Sequence, residues 1–490
     1  MEDLDQHIDR GYPVSNGYGR YLGVVPQWTR ADLLITLGLI VGAVATRFSR
    51  LGEPDLPIFD EVFVLAMARS LLQRLPFRDA HPPLSGEVVA LSIKLFGDNP
   101  LSWRLPTAIL GTSLVVITYL LGRRMFNSRL AGALAATFVI CDGLYMVDSR
   151  LALWEIFYLT FTACGYLMLF RFAQEHDPLA RRRSLACMGL ALGIAMGSKL
   201  GIPVITTLFV LSSTVFLILR RSNLGDTDGS SGLINQIVGS VALVGGLSTL
   251  VYLAVFLPYY WFGWWRGIRD QFSYFQTVYQ HQQSLAHVEH EYGSRWWSWP
   301  LLLRPMLYYE LKNSVRAIGN PIEWWGGLTS IALMARQAII QESFARAFVV
   351  FGYVLHFTMW IPIARLQFIH YYMPALYFAF LALGAVLADC WRGAARRWEE
   401  AALLVTLFPS LVFGFGLAIG LIVSAVIAVV YIGLLNRDTR SCGRLVCALY
   451  VAGAVILLLY FLPLYLFLPL TPDQFRARMW LKGPGLPNWI

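Results

Sequence analysis

Residues 57–72 read PIFDEVFVLAMARSLL, with two adjacent carboxylates, Asp60 and Glu61, at the head of an apolar run of helical spacing, and RDAHPPLSG follows at 78–86. Pro54 and Pro57 block helix on the N-terminal side, so the helix opens at the carboxylates, where its dipole favours negative charge. Capping alone accounts for such a pair. The other reading is a general base at a membrane surface, because partial loss of water raises a carboxylate pKa towards neutrality. In the second stretch Pro82 and Pro83 hold His81 extended in a turn. A histidine beside prolines is commonly structural, but this one shares its loop with the carboxylates.

The surroundings say what kind of surface this is. Of 490 residues 57% are hydrophobic and only 14% charged, with a mean hydropathy of +0.56, which excludes an ordinary soluble domain. Apolar stretches lie near 33–48, 106–121, 130–147, 151–170, 185–198, 201–219, 233–258, 323–341, 347–363, 371–391, 401–418, 419–435 and 445–469. At about 20 residues per crossing they predict an all-α polytopic membrane protein with about 11–13 transmembrane helices. The six cysteines fall mostly inside these stretches, lack metal-type pairing and read as small buried hydrophobes. The net charge of +9 is scattered in short arginine clusters between spans, which argues against a nucleic-acid partner and for topology.

Basic connections at 123–129, 171–183, 220–232, 335–346, 391–400 and 436–444, the last with Arg437, Arg440 and Arg444, alternate with the others and are expected to be cytoplasmic. The organisation expected is a cytoplasmic segment 1–32, a catalytic membrane core 33–391 with external interfacial loops 49–105 and 259–322, C-terminal membrane helices 392–469 broken around Pro409, Gly414 and Gly416, and an external tail 470–490. Asp60, Glu61, His81, Asp148, Arg150, Lys199, His290 and Arg365 then share the external side. The tryptophans of WFGWWRG and RWWSWP in 259–322 suit a membrane interface.

VDSRLALWE (147–155) sets Asp148 and Arg150 at the mouth of two spans, with Glu155 about one turn inside. An arginine there can hold phosphate bidentately, or it can be half of a structural ion pair. Lys199 is one of only four lysines and interrupts an apolar run, GIAMGSKLGIP; the segment is not a phosphate loop, since Ser198 intrudes between Gly197 and Lys199. A cation in a membrane run calls for an anionic partner. The stretch 281–299 gathers His281, His287, Glu289, His290 and Glu291 in a spacing that matches no strong zinc pattern. No cofactor is expected, a divalent ion at this cluster being the alternative.

The ordered set FDE (59–61), HPPL (81–84), SR (149–150) with Glu155 five positions beyond the Arg, GSK (197–199), H-x-Y-x-S-x-WW-x-W (290–299), LRPMLYY (303–309), GNP (319–321) and HYYMPALYF (370–378) resembles the protein O-mannosyltransferase family of C-type glycosyltransferases. More distantly the chain is similar to bacterial transferases that decorate lipid A with aminoarabinose. The resemblance implies a C-type glycosyltransferase fold and a sugar donor on a polyprenyl or dolichyl monophosphate. It also implies Asp60 as base with Glu61 beside it, Arg150 on the donor phosphate and His81 shaping the loop. Glu155 where the family has Asp, Leu200 where it has Trp, and a segment 259–322 too short for an extra β-trefoil-type domain point to a bacterial member.

The chemistry agrees with this. Nucleotide sugars stay in the cytoplasm, so a transferase facing outward needs a lipid-linked donor. A glycosyl phosphate already carries a good leaving group, so one carboxylate to deprotonate the acceptor and cations on the departing phosphate suffice, here Arg150 with Lys199 and Arg365. Direct displacement implies inversion. The expected function is transfer of mannose or another hexose to an acceptor hydroxyl, Ser or Thr of a protein, at the periplasmic or extracellular face of a bacterial inner (plasma) membrane. A lipid or polysaccharide acceptor is the alternative, and a transporter or flippase of a lipid-linked sugar the alternative of another class, although no inverted repeat is visible.

Overall fold

The computed structural model describes residues 27–77, 79–223, 229–311, 313–435, 439–482 and 488–489. Most of the expected segment 1–32, Arg437 and part of the tail 470–490 lie outside the described residues, as does the side chain of His287.

The chain runs α1 (Arg30–Phe48), α2 (Glu61–Gln73), α3 (Leu84–Phe96), α4 (Pro100–Met125), α5 (Arg129–Cys141), α6 (Gly143–Asp148), α7 (Glu155–Gln174), α8 (Pro178–Ser198), α9 (Gly201–Asn223), α10 (Gly229–Ala254), α11 (Leu257–Trp261) and α12 (Ile268–Ser284). After the strands β1 (Met306–Glu310) and β2 (Ser314–Ala317) come α13 (Pro321–Ile340), α14 (Phe344–Thr358), α15 (Met373–Arg392), α16 (Arg397–Phe415), α17 (Leu417–Leu435), α18 (Thr439–Tyr465) and α19 (Pro472–Arg478). Among the described residues eight helices are long and apolar enough to cross a membrane: α1, α4, α7, α9, α10, α15, α17 and α18. The remaining apolar stretches of the sequence are occupied by α5, α8, α13, α14 and α16, which are shorter, more charged or less apolar. The expected break in 401–435 falls at Gly416, which has φ +82° between α16 and α17.

Helix α15, MPALYFAFLALGAVLADCWR, is apolar all round and is buried from Met373 to Cys390, as such a helix must be. It forms the axis against which α5, α13, α14 and α18 pack. Its two ends define two polar faces about 30 Å apart, at about 1.5 Å per residue. One face holds the arginines of the basic connections. Asp32 there accepts from Arg123 Nε at 2.5 Å and Arg129 Nε at 2.9 Å, and Asp389 pairs with Arg346 and Arg392. The opposite face lies at the N-terminal end of α15 and carries the loops 49–105 and 259–322.

Those loops are built rather than irregular. Val64, Met67 and Ala68 of α2, Val89 and Ile93 of α3, and Phe256, Tyr259, Trp265 and Tyr274 form an apolar cluster separate from the main core. Segment 259–322 also departs from the all-helical expectation, because β1 and β2 pair antiparallel, Met306 opposite Ala317. MLYYE and SVRA alternate side chains, which fits a two-stranded ribbon better than a helix.

Close packing also holds α8 against α10. Gly189, Gly193 and Gly197 recur every fourth residue, and a Cβ on Gly193 would lie 2.7 Å from the Ser248 carbonyl oxygen of α10. Only glycine lets the two backbones approach this way. Lys199 caps that helix.

Candidate active site

The position of Asp60 follows from Glu61. Glu61 is fully enclosed, and its carboxylate accepts from Arg104 Nε (2.9 Å) and Nη2 (2.8 Å), from Ala152 N (2.8 Å) and from Ile58 N (3.1 Å). The same guanidinium donates to the carbonyls of Leu51, Pro54 and Leu56. One buried pair therefore pins loop 51–58 to α4 and to the chain after Arg150. Removing one partner would strand a buried charge, at about 3–5 kcal/mol. With every hydrogen-bonding direction of its carboxylate taken by the protein, Glu61 in this arrangement holds the loop that carries Asp60.

Asp60, the N-cap of α2, points elsewhere. Among the described residues its carboxylate accepts no hydrogen bond, and it lies in the fields of Glu155, Lys199 and Asp79. Burial chiefly, then Glu155, push its pKa up to about 7 against the pull of Lys199.

Glu155 and Lys199 meet beside it. Glu155 opens α7 and Lys199 closes α8, so each charge sits at the helix end whose dipole favours it. Lys199 Nζ donates to Glu155 Oε1 at 2.6 Å and stands 5.1 Å from the centre of the Tyr371 ring. His370 Nε2 is 3.9 Å from the same carboxylate oxygen. Arg365 stands 5.2 Å from the centre of the same Tyr371 ring and donates to Gln282 of α12; among the described residues it has no carboxylate partner.

His81 packs its ring on Trp154 at 4.2 Å, and its carbonyl accepts from Tyr274 of α12 at 2.9 Å. Burial and then Lys199 lower its pKa to about 3, so the imidazole is neutral. Its amide donates to Asp79 Oδ1 at 3.0 Å, and burial raises the pKa of Asp79 in turn. Asp148 accepts from Tyr308 of β1 at 2.5 Å, which gives the hairpin its place in the site. His290 is exposed at the rim, its ring 5.2 Å from Phe368, which stacks on His370.

Arg150 is not with them. Its guanidinium donates to the carbonyls of Thr46 (3.1 Å), Arg47 (2.9 Å) and Arg50 (3.2 Å), satisfying the orphan acceptors where α1 ends. At 4% exposure its guanidinium serves, in this arrangement, to hold the end of α1. Among the described residues no three His, Cys, Asp or Glu side chains stand close enough to hold a metal ion.

The sequence reading also missed residues. His370 and Tyr371 lie inside the quoted HYYMPALYF and Asp79 two positions before His81, but nothing in the pattern singles them out. Five buried polar atoms around the site, Asp79 Oδ2, Asp148 Oδ2, Trp154 Nε1, Tyr158 OH and His370 Nδ1, have no hydrogen-bond partner among the described residues. They are groups that a polar substrate could pair.

Comparison with known proteins gives the fold its context. A model of the dolichyl-phosphate-mannose-protein mannosyltransferase family matches residues 97–262, and one of the C-terminal four-TMM region of protein-O-mannosyltransferase matches 268–483. The chain belongs to the protein O-mannosyltransferase family. It is thus a membrane glycosyltransferase. Relatives of the family include the polyprenol-phosphate-mannose–protein mannosyltransferases of Mycolicibacterium smegmatis, 23% identical over 94% of this chain and 93% of that one, and of Mycobacterium tuberculosis, 25% identical over 93% and 91%. The Saccharomyces cerevisiae Pmt1-Pmt2 complex bound to its sugar donor has the same C-type fold, with a TM-score of 0.77, 15% identity and coverage of 96% of this chain and 95% of that one. ArnT from Cupriavidus metallidurans bound to undecaprenyl phosphate follows at 0.58, 14%, 92% and 88%.

Proposed function

We propose that this mannosyltransferase-family protein transfers mannose from a polyprenyl-phosphate carrier to Ser or Thr hydroxyls of proteins at the outer face of a bacterial inner membrane, with inversion. The observation that carries the reading is Asp60, an unpartnered carboxylate titrating near neutrality beside the Lys199–Glu155 pair. The names of the mycobacterial relatives support the donor and the protein acceptor.

In the reaction the acceptor oxygen bonds to the anomeric carbon as that carbon's bond to the phosphate oxygen breaks. The electron pair leaves with polyprenyl phosphate, and the hydroxyl proton passes to Asp60. Arg365, uncompensated by any described carboxylate, and Lys199 hold the phosphate charge, so no metal or resident cofactor is invoked. Tyr308 and Asp148 form one wall of the sugar pocket, and neutral His81 on Trp154 forms another.

The reading is tested by the pH–rate profile of purified protein with polyprenyl-phosphate mannose and a Ser/Thr peptide. A base must be deprotonated to act. With a pKa of about 7 for Asp60 in the free protein, kcat/KM is expected to be flat above that pH and to fall about tenfold per unit below it. A profile without an acidic limb, or transfer from a nucleotide sugar but not from the lipid donor, would overturn it.

A further inference from the structure

On the face opposite Asp60, four arginines converge from four elements on one cavity of about 560 Å³: Arg336 of α13, Arg346 of α14, Arg392 at the end of α15, and Arg396 at the start of α16. Two carboxylates share it. Asp389 takes Arg346 Nη2 at 2.6 Å and Arg392 Nη2 at 2.7 Å, while Glu399 takes Gln337 Nε2 at 3.3 Å and the Arg396 amide at 2.8 Å, with Arg336 Nη1 farther off at 3.7 Å. Four guanidinium groups against two carboxylates leave two positive charges uncompensated among the lining residues. The Arg396 side chain is exposed and has no carboxylate partner among the described residues.

The positive-inside tendency explains why this connection is basic, but it does not require arginines from four helices to face one concavity. The rim identifies the ligand. Ile339 is 80% exposed, Ile340 is 56% exposed, and Trp398, an interface-type aromatic, lies under Arg336 at 5.3 Å. An apolar flank beside a cationic pocket between helix ends suits a molecule with a phosphate head and hydrocarbon tails. We propose that this cavity binds the phosphodiester headgroup of an anionic membrane phospholipid, its acyl chains lying along Ile339 and Ile340.

The test is native mass spectrometry of the full-length protein in micelles, titrated with phosphatidylglycerol, with phosphatidylcholine alongside. Saturable phosphatidylglycerol binding without matching phosphatidylcholine binding is expected. Each arginine near a lipid headgroup contributes about a factor of five, so R392Q/R396Q should weaken binding about thirtyfold. R392K/R396K keeps the charge and should retain binding. R336Q, which leaves the Asp389 pairs intact, should weaken it about fivefold and serves if the double variant fails to fold. Equal binding by parent and R336Q, or equal binding of the two lipids, would overturn the proposal. Displacement by millimolar inorganic phosphate would assign the cavity to a soluble anion and overturn the lipid assignment.

Discussion

Asp60→Asn is expected to lower kcat by about 10²–10⁴-fold while donor affinity stays within about twofold. The substitution keeps the shape of the side chain and removes its capacity to take a proton. No hydrogen bond of the described structure ends on the Asp60 carboxylate, and Glu61, with Arg104, holds the loop independently, so the fold has little reason to respond. A carboxylate whose pKa is raised by burial destabilises the folded state above its unfolded pKa, and Asn removes that charge, so the melting temperature should be unchanged or higher near neutral pH. Asp79 is the competitor. It lies in the field of Asp60, and its own pKa is raised, but one of its oxygens is engaged by the His81 amide. Steady-state kinetics of Asp60→Asn and Asp79→Asn side by side decide the matter: full activity in the first with loss in the second would move the base to Asp79.

Lys199→Met should raise the Kd for polyprenyl phosphate about 10- to 150-fold, the value of a hydrogen bond to a charged group. It should also destabilise the protein by about 3–5 kcal/mol, because Glu155 is left charged and buried. These two effects separate in Lys199→Met/Glu155→Gln. With the carboxylate neutralised, most of the lost stability should return, read as melting temperature, whereas donor affinity should stay low. A lysine that serves only as partner to Glu155 gives the other result, both properties recovering together in the double variant.

How far the sequence carried the reading depended on where each side chain finds its partners. Apolar length alone announced the membrane helices, and the alternation of arginine clusters put Asp60, His81, Lys199 and Arg365 on one side, where they meet. The partners of Arg150 and Glu61 were not legible because they are main-chain groups and one arginine far along the chain: the carbonyls that close α1, and Arg104 inside an apolar helix. Side-chain identity signals charge but not which backbone ends will claim it. His370 was hidden for the opposite reason, as one ring among aromatics in HYYMPALYF, and became visible only when the turn at Ile369–Tyr372 brought it to 3.9 Å from Glu155. The hairpin that supplies Tyr308 was too short to stand out from its loop.

The most direct measurement is the anomeric configuration of the glycosylated Ser/Thr peptide, read by NMR from the one-bond carbon–proton coupling of the transferred sugar and compared with that of the donor. A single displacement, with Asp60 as the base and Lys199 and Arg365 on the leaving phosphate, gives a product inverted relative to polyprenyl-phosphate mannose. A retained configuration would contradict it.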